Sequence, residues 1–172
     1  MAQRTGALRS PRFWISMAGG LGIVLAAVLL TNHDGAMTVI QAVYARITCG
    51  ILNGLGHATR VVGNTVSSSR FGISVVAACT GLFVTSLFAF AVVVFPVRWG
   101  SKLVGLALGI GGIFVVNVIR LVSLYYVGVH WPGVLDSVHL LVWQSLLIVV
   151  AVALWLLWAG GITRRRGREA SS

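Results

Sequence analysis

Charge is scarce in this sequence. Only 9% of its 172 residues are charged, and acidic side chains number 3 against 13 basic ones. With 58% hydrophobic residues and a mean hydropathy of +0.96, no soluble domain of this size would carry such a surface in water. The formal charge of +10 invites a nucleic-acid reading. However, the basic residues flank apolar runs and do not interleave with aromatics, so they read as topology signals and contacts to anionic lipid, with no nucleic-acid partner. Cysteine is scarce too. Cys49 and Cys79 lie far apart without a C-x-x-C, which argues against a metal site and against a thioredoxin-type redox pair. A disulfide between the two stays open. No internal repeat occurs, and nothing calls for a cofactor.

What the sequence has is long apolar runs. Phe13 to Leu30 carries no charge and follows Arg4, Arg9 and Arg12. It is long enough to cross the hydrocarbon. A cleaved signal peptide is the alternative, disfavoured by the length of the run and by Thr31-Asn32-His33-Asp34-Gly35, a poor cleavage site. Further spans are expected over about 78–95, where Pro96 stops the helix, over 103–127, and over 138–158 before Arg164, Arg165, Arg166 and Arg168. Gly105, Gly109, Gly111 and Gly112 would let neighbouring helices approach the third span closely. Trp99, Trp131, Trp143, Trp155 and Trp158 fall near span ends, as in an interfacial belt.

The segment 36–59 is mixed, and spanning would put Arg46 at the membrane centre at a cost of roughly 2.5–3.5 kcal/mol. An interfacial helix is expected there. The polar stretch rich in Gly and Ser from Val61 to Ser74 reads as a loop with short extended pieces. The expectation is one domain over 1–172: an all-α integral membrane bundle of about four transmembrane helices plus an extracytoplasmic interfacial helix.

Basic residues set the orientation. Nine (Arg4, Arg9, Arg12, Arg98, Lys102, Arg164, Arg165, Arg166 and Arg168) fall on one side, and Arg46, Arg60 and Arg70 on the other. Both termini are then cytoplasmic, with 31–77 and the turn His130–Ser137 outside. Alternating span direction brings Cys79, Arg120 and His139 to one depth at the outer ends of three spans.

Each of the three has an ordinary explanation. A cysteine in an apolar helix is usually a small buried hydrophobe. At a helix N-terminus beside a cation, however, Cys79 is placed to favour the thiolate; Cys49 lacks that setting and reads as structural. For Arg120 the ordinary reading is a snorkelling anchor, but Asn117 sits at i−3 on the same face, holding Arg120 or adding a donor, and a pure anchor would not need it. His139 has Asp136 three residues before it, to cap the helix or orient the imidazole. Trp143 lies one turn later on the same face, and Gln144 is polar within the span. His33, His57 and His130 have no identifiable partners.

These residues stand in a recognisable order. A-A-C-T-G (77–81), N-V-I-R (117–120) and L-D-S-V-H-L-L-V-W-Q (135–144) resemble the exosortase/archaeosortase family of membrane cysteine transpeptidases, over roughly 65–158. The chain is shorter than the larger members and looks most like the compact exosortase H class. The resemblance implies a catalytic Cys79, Arg120 and His139, supported by Thr80, Asn117, Asp136, Trp143 and Gln144. It also implies substrates that are secreted proteins with a C-terminal sorting signal of motif, transmembrane helix and basic tail, of IPTLxxWG type. The location expected is the bacterial inner membrane, with the site facing the periplasm. A lipid amine, a cell-surface group and water all stay open as acceptor.

Other classes remain. A membrane scaffold would use Arg120 and Asn117 as interhelical adhesive. Thiol-disulfide exchange would use both cysteines but lacks C-x-x-C. A transporter would need polar residues continuing through the bundle, and none do.

Overall fold

The computed structural model describes residues 11–169. Arg4 and Arg9, which contribute to the orientation reading, lie outside them. Helices make up most of the described chain. α1 (Pro11–Thr31) turns at Asn32–His33 into α2 (Asp34–Gly54). A small antiparallel meander follows, β1 (Arg60–Val62), β2 (Thr65–Ser67) and β3 (Gly72–Ser74). After a 3-10 turn (Ala77–Thr80) come α3 (Leu82–Val94) and α4 (Trp99–His130). The chain then runs through Pro132–Val134 into α5 (Leu135–Ser137), a π-helical stretch (Val138–Trp143) and α6 (Gln144–Glu169). Residues Val138 and Gln144 at the two junctions are helical, so the last three elements form one rod.

Among the described residues four helices are long and apolar enough to cross a membrane: Trp14–Thr31, Asp34–Gly54, Trp99–His130 and Pro132–Arg164. This is a membrane-embedded helical protein. The number matches the sequence reading, but the membership does not. The run expected as a span over 78–95 is a helix only from Leu82 to Val94, 13 residues or about 20 Å at 1.5 Å per residue. Hydropathy could not see that Gly81, at φ 66°, takes the left-handed conformation and separates Cys79 from the helix. Its other end is as expected, with Phe95 extended before Pro96.

The segment 36–59, read as interfacial, contains one regular helix that meets the length and composition of a span. Its two faces differ. Tyr44, Ala45, Thr48, Cys49 and Leu52 are buried, while Arg46 is exposed beside an outward cleft with Thr38 and Asn64.

The short extended pieces expected in 61–74 form a sheet stitched to α2 at both ends. Asn64 Nδ2 donates to the Val75 carbonyl (2.9 Å) and to Gln41 Oε1 (3.4 Å). At the other end, the Thr59 amide donates to Asn53 Oδ1 at 2.8 Å. Three-residue strands are marginal alone. Val66 and Val75 are fully buried against α2 and α4, and each such burial contributes about 1.5–3 kcal/mol.

At the opposite end of the bundle, Lys102 Nζ donates to the Val93 carbonyl, a free acceptor in the last turn of α3, and lies over the Trp99 ring. Trp158 Nε1 donates to the Ser101 carbonyl at 3.0 Å, and Phe95 packs edge-on to Trp155 and Trp158. Three of the α4 glycines act as expected: Gly105 faces Trp158, Gly109 faces Phe88 and Gly112 faces Leu154. At Gly109 a Cβ would fall 1.9 Å from the Phe88 ring, so only glycine admits that approach. Gly111 faces open space.

Candidate active site

Cys79 lies on the 3-10 turn, 3% exposed, and not in the first turn of a helix as the sequence suggested. Thr80 closes that turn. Its hydroxyl donates to the Ala77 carbonyl (2.7 Å) and accepts the Leu82 amide (3.4 Å), so it shapes the loop and does not reach the thiol. The turn is also held from α4: Asn117 Nδ2 donates to the Cys79 carbonyl at 2.6 Å. Asn117 therefore grips the backbone of Cys79, where the sequence suggested that it hold Arg120.

His139 comes from the π-helical stretch. Its Nε2 is 3.2 Å from Cys79 Sγ, so with the imidazole proton on Nδ1 the thiol donates to Nε2. Sixty residues of chain separate the two. Asp136 is exposed, caps no helix end and makes no hydrogen bond to the ring, correcting both roles expected of it; it acts on His139 through charge alone.

The π geometry adds a neighbour to the His139 face. Its i→i+5 bonding brings residues five apart close to one face, whereas in an α-helix of 3.6 residues per turn they lie about 140° apart. Gln144 therefore joins the His139 side, where an α-helix would put Trp143 alone. Trp143 is half-buried and has no part in the thiol–imidazole pair.

Arg120 is nearly three turns below the end of α4 and only 1% exposed, so it does not snorkel. Its Nε and Nη1 have no hydrogen-bond partner. Its charge acts on both Cys79 and His139. It lines a chamber of about 210 Å³ with Gln144, Thr31, Gly81 and the two residues before Cys79, Ala77 and Ala78. A buried guanidinium with donors unmet is costly unless an acceptor arrives. Among the described residues no three His, Cys, Asp or Glu side chains converge as metal ligands.

Two contributors were not foreseen. Tyr44 of α2 is buried with its hydroxyl toward Asn117, whose Oδ1 lacks a partner within hydrogen-bonding geometry. Gly81 packs on Asn117, where a Cβ would sit 3.4 Å from Cγ. The glycine two residues after the cysteine was the available signal for Gly81. For Tyr44 there was none, because nothing in the sequence sets how its helix lies against α4.

Both cysteines are free. Cys49 has its own polar partners, with Sγ 3.3 Å from the Thr59 hydroxyl and 3.6 Å from Asn53 Nδ2, as fits a structural residue. His57 and His130, without assigned partners in the sequence, both meet Tyr126: His57 Nε2 lies 2.9 Å from its hydroxyl and His130 Nδ1 lies 2.9 Å from its carbonyl. No protein-family model, curated protein or solved structure matches the chain.

Proposed function

We propose that this protein is a membrane-embedded cysteine transpeptidase or protease, acting on C-terminal sorting signals of secreted proteins. The observation that carries the reading is the 3.2 Å Cys79–His139 contact beside a buried guanidinium whose Nε and Nη1 have no hydrogen-bond partner. Thiol and imidazole are a nucleophile and its base. An unpaired cation in a low-dielectric chamber is what a developing oxyanion needs.

In the first half-reaction Cys79 Sγ gives its proton to His139 and attacks the scissile carbonyl carbon. Its oxygen becomes an oxyanion facing Arg120. The C–N bond then breaks, His139 returns the proton to the departing amine, and an acyl thioester stays on Cys79. In the second, the acceptor loses a proton to His139 and attacks the thioester carbon. The S–C bond breaks and the thiol is regenerated. Asn117 keeps the Cys79 turn fixed through both.

The proposed setting is a bacterial inner membrane, with both termini cytoplasmic and the site facing the periplasm. In that setting a substrate helix with a basic tail shares the enzyme's orientation and presents its motif at the depth of Cys79. A scaffold with Arg120 as interhelical adhesive is disfavoured, since adhesive needs a bond and Nε and Nη1 make none.

The test is co-expression with a secreted reporter ending in an IPTLxxWG-type motif, an apolar helix and arginines. The wild type should shorten the reporter, while Cys79→Ala and Cys79→Ser should leave it at full length with the enzyme present at normal abundance. Processing by Cys79→Ala at the wild-type rate would end the proposal.

A further inference from the structure

The chamber beside Cys79 does not end at Gln144. Phe83, Val84 and Gln144 also form one end of a second cavity, an apolar cleft of about 510 Å³ between α3 and α6. Phe83, Leu87 and Ala91 recur every four residues on α3, and on α6 Ile148, Ala151 and Trp155 form the facing wall. The cleft therefore runs along the helix axes away from Cys79. Phe83 to Ala91 spans about 12 Å and Gln144 to Trp155 about 16 Å at 1.5 Å per residue.

We infer that this cleft holds the first two to three turns of a substrate's membrane helix, those just beyond the bond to be cut. The inference rests on the transpeptidase reading and adds where such a substrate is read. A polypeptide continuing from the chamber into this cleft leaves the last polar wall residue, Gln144, behind it. From there its amide and carbonyl groups must be satisfied internally, which in hydrocarbon means a helix. Two parallel stripes at i and i+4 spacing form the trough into which a third helix packs, and Ala91 and Ala151 are small enough to let its backbone close in. Continuity with the chamber selects a substrate helix as occupant over a lipid chain or a second copy, neither of which needs to begin at the scissile bond.

The probe is the reporter with an IPTLxxWG-type motif, an apolar helix and an arginine tail, carrying single cysteines along its helix. With Leu87→Cys or Val152→Cys in a Cys79→Ala background, cross-links should appear at helical periodicity and only within the first three turns. Leu87 is 45% exposed, so Leu87→Trp fills the cleft without disturbing the core. It should lower reporter processing at least tenfold while abundance and alkylation of Cys79 by a small maleimide stay unchanged. Normal processing by Leu87→Trp would overturn the inference. So would cross-links spread evenly along the reporter helix, cross-links joining two enzyme copies, or a co-purifying phospholipid that shields Leu87→Cys when no reporter is present. A reporter still cut by Cys79→Ala would instead overturn the transpeptidase reading itself, so the two failures are distinguishable.

Discussion

Arg120 is the residue whose surroundings most need explaining. Ionisable side chains within spans are expensive and usually escape to the interface or find a partner. This one is buried with two of its nitrogens unbonded. Arg120→Gln removes the charge where Nε and Nη1 hold no bond, so abundance should be unchanged. Loss of a single oxyanion donor costs about 10²–10³ in rate, and reporter processing should fall by that order. A fall in abundance with unchanged processing per molecule would favour the scaffold. Gly81 is the second such residue. Its φ of 66° is natural to glycine, and an L-residue there costs about 1–2 kcal/mol. At 3.4 Å the contact of a Cβ with Asn117 is tolerable, so the strain is in the backbone. Gly81→Ala should shift the Cys79 turn and lower processing, with a lower melting temperature in detergent as the accompanying measurement.

At the scale of elements, the π-helical stretch sets the geometry of the site. Deleting Leu141, which is 70% exposed, would return Val138–Trp143 to α-helical pitch with little loss of packing. Gln144 would then follow His139 by four residues, about 40° further round at 100° per residue, so the two stay on one face. Processing should be largely retained with abundance and helical content unchanged; its loss would show that the residues between them, and not the His139–Gln144 pairing, position the imidazole. This element was not legible in the sequence, because the extra residue leaves no mark on an apolar run. The spans over 13–30, 103–127 and 138–158 were legible to within several residues, because their signal is summed apolarity. The same sum misjudged the other two segments. It counted the residues of the Cys79 turn as helix, and it weighed Arg46 against a span without seeing that the helix buries its other face. In both cases the missing information was direction: which way a side chain points, and where the backbone turns left-handed.

At the scale of the whole molecule, polar chemistry gathers at one end of an apolar bundle. The 3-10 turn, α4 and the π stretch bring Cys79, Arg120 and His139 together, and α2 with its small sheet packs over them. The order of the three residues along the chain was readable, and so was the meeting of Cys79 with His139, which the 3.2 Å contact bears out. The contacts of Asn117 and Tyr44 were not, since they depend on how α2 lies against α4. The central claim is that Cys79 carries the acyl group of a cut chain. The most direct measurement is mass spectrometry of the purified enzyme after co-expression with the reporter, with and without hydroxylamine, which cleaves thioesters. The account predicts a reporter fragment bound to Cys79 that hydroxylamine releases, abolished in Cys79→Ala. Reporter cleavage with no hydroxylamine-sensitive adduct on Cys79, and at an undiminished rate in Cys79→Ala, would contradict it.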